Sequence, residues 1–381
     1  MSDDIADSVK GMTPGVENVK HLVAIASGKG GVGKSTVCIQ LAYALSKMGK
    51  KVGILDADIY GPSGPKMTKL AGQRASGVNG QMIPLERDGV KMVSMSLVME
   101  NDAAVVWRAP MANKAIQQFL QNTYWGELDV LLLDLPPGTG DIHITIAQQA
   151  RLSGAVIVTT PQQVATEVAR KGLKMFNQVM VPILGIVENM SSMICTHCEK
   201  ENHFFSGNGG ENLSSESDVP LLAKIPMHHS IMQSCDEGAP LCLDPTHSPM
   251  ARVYMDLADS FMKSLESVSG RFKSVTPVGM ELLEEGTELQ VAWEDGVVKI
   301  PAHYLRLSCP CASCIDEITG KKILDESKVP LGIKILGIRG AGRYGVSMQF
   351  SDQHGTGIYR FDRLKEMSHS FKAKEGEKVR L

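Results

Sequence analysis

The chain has 381 residues, 43% apolar and 21% charged, a composition that suits two or three globular domains and excludes a disulfide-stapled miniprotein, a fibrous repeat and wholesale disorder. Lys plus Arg, 39, against Asp plus Glu, 42, leaves a net charge of −3, too balanced for a protein that grips nucleic acid through a dominant phosphate field, so no nucleic-acid partner is expected. No apolar run approaches the ~20 residues needed to span a bilayer, so no membrane partner is expected either.

The chain opens on an acidic lead segment, residues 1–20, beginning MSDDIADSVK, with neither the basic and apolar regions of a signal peptide nor an Arg-rich transit sequence. The expectation is a cytoplasmic protein. In a reducing compartment close groups among its eight cysteines point to metal or redox chemistry rather than disulfides.

From residue 21 to 190, β-rich apolar runs (HLVAIAS, KVGILDAD, VLLLDLPP, AVIVTTP, ILGIVENM) alternate with helical stretches such as Thr36 to Met48. This alternation reads as βαβ units, and the continuous apolar character of the strands suits a parallel sheet covered on both faces, with function at the strands' C-terminal ends. After the first run comes Gly28-Lys29-Gly30-Gly31-Val32-Gly33-Lys34-Ser35, followed by Thr36, a GxxxxGK[ST] motif between strand and helix. There glycines let backbone N–H groups curl round phosphates, Lys34 reaches the terminal phosphates and Ser35 offers its hydroxyl to Mg²⁺. Asp56 and Asp58 follow the second strand, and Asp134 ends the third run as a Walker B carboxylate does; one such group can serve the Mg²⁺ water shell while another orients an attacking water.

Lys29 makes the loop resemble the deviant form of the MinD, ParA, ArsA and nitrogenase iron-protein group of ATPases. That resemblance implies a homodimer that sandwiches ATP, with Lys29 reaching the partner's nucleotide, Asp58 acting on water, Asp134 serving Mg²⁺ and Asn189 reading the adenine edge. Residue type alone leaves Lys29 equally a solvated loop lysine. The phrases DADIYGPSGP, WRAPM at 107–111, DLPPGTGD, TTPQ, VENM and CTHC followed by HFFSGNGG resemble the Mrp/ApbC family of iron–sulfur cluster carrier ATPases across roughly residues 20–265.

Cys195 and Cys198 form C-x-x-C, which can grip one metal centre but cannot complete four-coordinate zinc or a Cys₄ cluster. The family resemblance implies that the same pair from a second subunit completes a bridging 4Fe-4S cluster. Zinc with the same four ligands is the alternative, and it belongs to a MinD- or ArsA-like spatial-organising or protein-targeting ATPase. Against that alternative, the 21 methionines are scattered rather than gathered into one groove, and the C-terminus reads as a β-rich domain, not an amphipathic membrane helix. His197 and His203 lie near the pair, while Cys38, Cys235 and Cys242 read as packing residues.

A helix expected at Pro249 to Glu266 closes the ATPase region. LQVAWEDGVVKIP and VSMQFSDQHGTGIYRF each read as a hairpin, and the stretches around them are faintly similar. Cys309, Cys311 and Cys314 fall within LRLSCPCASC, spacing suited to one metal that lacks a fourth ligand. With FSDQHGTGIYRFDRL, this passage resembles the small domain preceding the catalytic domain in the γ-butyrobetaine hydroxylase family, which implies a Cys₃His structural zinc site completed by His354. None of the ten histidines has Asp two positions later, so the facial triad of the oxygenase itself is not expected. Joining such a domain to a carrier ATPase resembles the plant high-chlorophyll-fluorescence scaffold proteins. This chain departs from their pattern at its N-terminus, and a bacterial or cytosolic relative is the reading.

The whole expectation is an α/β P-loop NTPase with a mainly parallel sheet flanked by helices at 21–268, a linker at 269–280 and a small β-rich zinc domain at 281–381. It would be an ATPase that carries 4Fe-4S clusters to apo-proteins and receives them from upstream assembly factors.

Overall fold

The computed structural model describes residues 15–378, apart from 59–60, 79, 98–108, 196, 199, 206–207, 245, 247, 317–318, 320 and 342. Most of the lead segment and the first two residues of WRAPM therefore lie outside the described residues. The chain divides into two compact units, Met1–Glu266 and Ser267–Leu381, each with its own hydrophobic core.

In the first unit the five apolar runs are strands: β1 (Val19–Ser27), β2 (Val52–Asp56), β7 (Leu128–Asp134), β8 (Gly154–Thr159) and β9 (Ile183–Ile194). Between β2 and β7 lie the short β3 (Gly77–Val78), β4 (Gln81–Met82) and β5 (Leu85–Arg87), then β6 (Val90–Ser94); β10 (Glu201–Asn202) and β11 (Leu221–Met227) follow β9. Among the described residues the main sheet runs β10-β9-β8-β1-β7-β2-β6-β5, with β11 on β9. The pairs among β6, β2, β7, β1, β8, β9 and β11 are parallel, while β5 and β10 run antiparallel to their neighbours. Every residue of β2 and β8 is buried, as expected of strands covered on both faces.

The covering helices of this unit are α1 (Lys34–Lys47), the one-turn α2 (Gly64–Met67), α3 (Ala109–Gln121), α4 (Asp141–Gln149), α5 (Gln163–Gln178), α6 (Gly209–Ser217), α7 (His229–Glu237) and α8 (Pro249–Lys273). Trp125, fully buried in the core, donates its indole N–H to the Phe119 carbonyl at 3.1 Å. α8 outruns the expected stop at Glu266 and takes up residues 269–273, which the sequence assigns to a linker. No proline interrupts this stretch, and Arg271 and Lys273 in the last turn suit a helix C-terminus.

The second unit holds two three-stranded antiparallel sheets, β12 (Gly279–Leu283), β13 (Glu288–Trp293) and β14 (Gly296–Pro301), and β15 (Ile335–Gly340), β16 (Gly345–Phe350) and β17 (Ile358–Arg360). Both expected hairpins are present, β13–β14 and β16–β17. Each runs directly into a helix, α9 (Ala302–Leu307) and α10 (Phe361–Lys378), so this unit is less purely β than its sequence texture indicates.

Candidate nucleotide and metal sites

The phosphate-type loop joins β1 to α1. Gly31 and Gly33 take φ of +80° and +82°, a left-handed conformation that glycine adopts without steric cost. Gly33 N-caps α1 with no side-chain hydrogen bond to it, so the first N–H groups of the helix face the loop. Gly28 has a different constraint: a Cβ there would lie 2.6 Å from the Val168 carbonyl carbon of α5. A cleft of about 220 Å³ is lined by Lys29 to Thr36, Asp58, Ser63 and Pro137 among others.

Lys34 is buried, and its Nζ donates to Asp134 Oδ1 at 2.5 Å and to Ser35 Oγ at 3.2 Å. Burial alone would lower the Lys34 ammonium, but the Asp134 carboxylate more than offsets it and holds the pKa above its ordinary value. Burial likewise pushes Asp134 upward, against the pull of Lys34 and a hydrogen bond from Ser35. Lys34, Ser35 and Asp134 thus form one cluster, and a hydroxyl beside a carboxylate is a donor set that fits Mg²⁺. Asp56, one strand over, is buried and accepts from Gly64 N, Asp58 N and Ser94 Oγ, each at 3.2 Å. Burial, then the neighbouring Asp134, pushes it up to about 7. Asp58 lies at the cleft and accepts from Gly61 N at 3.3 Å. Lys29 is bound within its own chain, donating to Gln162 Oε1 at 3.0 Å.

Asn189 comes to the loop from β9, its Nδ2 donating to the Val32 carbonyl at 2.8 Å. Its strand ends at Ile194, and Cys195 and Cys198 occupy the turn that leads to β10, where Cys195 N donates to the Lys200 carbonyl at 3.0 Å. Cys198 is exposed and Cys195 half-buried. Hydrogen bonds from the Cys198 and His197 backbone lower the pKa of Cys195 below that of an ordinary thiol, the thiolate being the metal-binding form. Cys38 and Cys242 are buried, with burial pushing the latter up to about 12, and Cys235 donates to Thr36 Oγ1 at 3.7 Å.

In the second unit Cys309, Cys311, Cys314 and His354 present ligand atoms all within 4.8 Å of one another. Among the described residues this is the only group of three or more His, Cys, Asp or Glu close enough to share an ion, so neither His197 nor His203 completes the first pair. The three thiols reach His354 Nε2 at 3.1, 3.5 and 3.8 Å. Burial pushes the Cys309 thiol up to about 12 and lowers His354; three cysteines and one imidazole are a donor set that fits a tetrahedral S₃N ion. Sequence reading passes over the supporting residues. Arg306, buried, donates to Cys314 Sγ at 3.3 Å and through Nε to Asp352 Oδ2 at 2.7 Å, and Asp352 Oδ1 accepts from His354 N. The signal available for them is Arg three residues before the first cysteine and Asp two before the histidine.

Comparison with known proteins agrees with this geometry. The model of the ParA family described as NUBPL iron-transfer P-loop NTPase matches residues 18–262, and the γ-butyrobetaine hydroxylase-like N-terminal model matches 280–365. The chain is 46% identical over 247 residues to an iron–sulfur cluster carrier protein of Pseudomonas fragi, covering 64% of this chain and 86% of that one. It is 42% identical over 256 residues to the iron–sulfur cluster transfer protein NUBPL of Dictyostelium discoideum, covering 67% and 79%. A nucleotide-binding protein of Archaeoglobus fulgidus, solved with ADP, matches with a TM-score of 0.52 at 35% identity over 63% of this chain and 92% of that one. With the loop, its carboxylates and the cysteine pair all at the ends of strands of one mainly parallel sheet, this chain belongs to the ParA-type family of NUBPL iron-transfer P-loop NTPases.

Proposed function

We propose that the chain is an ATP-hydrolysing carrier of 4Fe-4S clusters that works as a cytoplasmic homodimer, holds its cargo on Cys195 and Cys198 of both subunits and hands it to apo-proteins. The observation that carries this reading is the incompleteness of the pair: one exposed and one half-buried thiol with no third ligand among the described residues, in the turn after the strand whose Asn189 touches the nucleotide loop. A four-iron cluster takes four thiolates, and a second copy supplies the missing two. The names of the relatives, carriers and transfer proteins for iron–sulfur clusters, support the cargo and speak against a spatial-organising or targeting ATPase. No helix among the described residues is long and apolar enough to cross a membrane.

In this reading ATP lies along the loop with the backbone N–H groups ahead of α1 turned to its phosphates. Lys34 reaches the terminal phosphates, and Ser35 with Asp134 would hold Mg²⁺, which when bound shares the phosphate charge. Asp58 orients the attacking water from the cleft. Asn189 Nδ2 is given to Val32, so its Oδ1 is the acceptor for the adenine amine. Lys29 leaves Gln162 to reach the partner's nucleotide. Such a site works by positioning and electrostatics. The Cys309, Cys311, Cys314 and His354 set would hold a separate structural Zn²⁺.

Anaerobic reconstitution with iron and sulfide tests the reading. About four irons and four sulfides per dimer are expected, lost in Cys195→Ala/Cys198→Ala while one zinc per subunit persists. Zinc alone at the pair, with no sulfide, would remove the carrier function.

A further inference from the structure

The two sites of the first unit are joined by one strand, and that strand is irregular at the point between them. β9 pairs with β8 as far as Glu188 and with β11 at Asn189, opposite Ile225. The next registered pair is Met193 with Met227, four residue steps on β9 against two on β11. Residues 190–192 thus form a bulge, a device that re-aims whatever follows it. Met190 takes φ of +57°, which a residue with a side chain adopts only where its surroundings impose it. Ser192 is buried, and its hydroxyl has no hydrogen-bond partner among the described residues. A strained backbone and an unsatisfied buried hydroxyl in three consecutive positions mark a segment with something to gain from a second arrangement.

The bulge also touches the loop. A Cβ built on Gly33 would collide with Asn189 Nδ2 and lie 3.9 Å from Met190 Cε, so both side chains stand beside the space that the glycine leaves open. Beyond the bulge, Met193 and Ile194 pair with Asn202 and Glu201 to form the base of the cysteine turn. We infer that Met190 is a positioning residue that couples the phosphate-binding loop to Cys195 and Cys198, so that the exposure of the two thiols follows the nucleotide. Any shift of Gly33 toward bound phosphate changes what Asn189 and Met190 rest on. The bulge converts that shift into a change of direction at the cysteine turn. Met190, unbranched and flexible, can stay beside the glycine in both arrangements. This inference rests on the carrier reading for its biological meaning, but its test does not need a cluster.

The experiment is alkylation of the full-length, cluster-free protein by iodoacetamide under anaerobic conditions, with peptide mapping of Cys195 and Cys198. Rates are compared at saturating Mg·ADP and at saturating Mg²⁺ with a non-hydrolysable ATP analogue. In the unmodified protein they are expected to differ by about fivefold, the lower end of ordinary site-to-site coupling. Met190→Gly relaxes the backbone and removes the side chain beside Gly33, and should bring the two rates together. Met190→Leu keeps an apolar side chain over the glycine and should retain the difference. Equal rates in the unmodified protein, or a full difference in Met190→Gly, would overturn the coupling. Failure of the carrier reading shows elsewhere, as the absence of iron and sulfide in reconstitution.

Discussion

Asp56 and Asp134 stand at the ends of adjacent strands, paired in register, with a single ammonium, Lys34, bound to Asp134. Asp56 is raised to about 7 from an ordinary value near 3.8. A raised folded-state pKa means that the folded protein holds the proton more tightly than the unfolded chain. The stabilisation is therefore complete below pH 3.8 and is lost as pH rises through about 7. Asp56→Asn removes this dependence, so the melting temperature of the natural protein, measured relative to the variant, is expected to fall across that window; a constant difference would show that Asp56 does not titrate there. Arg306 supplies a second residue-scale expectation. With a divalent cation bound, three thiolates would leave a net negative site, which the Arg306 guanidinium, on Cys314 and Asp352, would balance while steadying the loop that carries His354. Arg306→Met should weaken metal binding by about tenfold or more, the usual cost of losing an outer-shell partner, in competition with a chromogenic chelator. Arg306→Lys should recover part of the loss.

At the scale of elements, much was legible. The apolar runs are strands because β-branched and leucine-rich segments of five to nine residues, bounded by glycine, proline and aspartate, bury both faces, and the loop between β1 and α1 is set by glycines whose φ no other residue matches at the same cost. Gly33→Ala is expected to abolish ATP binding in equilibrium titration, since it adds about 1–3 kcal/mol of backbone strain to a collision with Asn189. Retained affinity would mean that Asn189 moves aside freely. The length of α8 was not legible, because SVSGRFK reads equally as polar linker and exposed helix until Phe272 is seen buried. The bulge of β9 was hidden for a similar reason: ENMSSMI looks like an ordinary strand, and its irregularity is a matter of register against β11.

The molecule as a whole carries two separate cores, one around β1, β7 and β8 and one enclosing Cys309 and Cys314. The phosphate-type loop and the Cys309, Cys311, Cys314 and His354 group fall in different units. In scanning calorimetry, ATP at a hundred times its dissociation constant should stabilise one transition by about 2.7 kcal/mol. A zinc chelator should lower a different one. If a single transition responds to both treatments, the two units unfold together.

The order of residues by itself determined the class of the fold, the position of the phosphate-type loop, and the grouping of five of the eight cysteines into two local clusters. These depend on side-chain chemistry and on spacing within one strand, turn or helix, where the backbone leaves few choices. Only the tertiary structure decided how each cluster ends. Cys309 is separated from His354 by 45 positions and Asn189 from the loop by 157, and local spacing says nothing about such pairs; His354 is legible only through resemblance, Arg306 and Asp352 only as near neighbours of the ligands, and Met190 not at all. Packing brings a fourth ligand and a buried guanidinium to one group of thiols and leaves the other open at a strand end. That difference, set by which distant elements meet, separates the four-residue Cys₃His group from the two-residue pair on which the proposed carrier function rests.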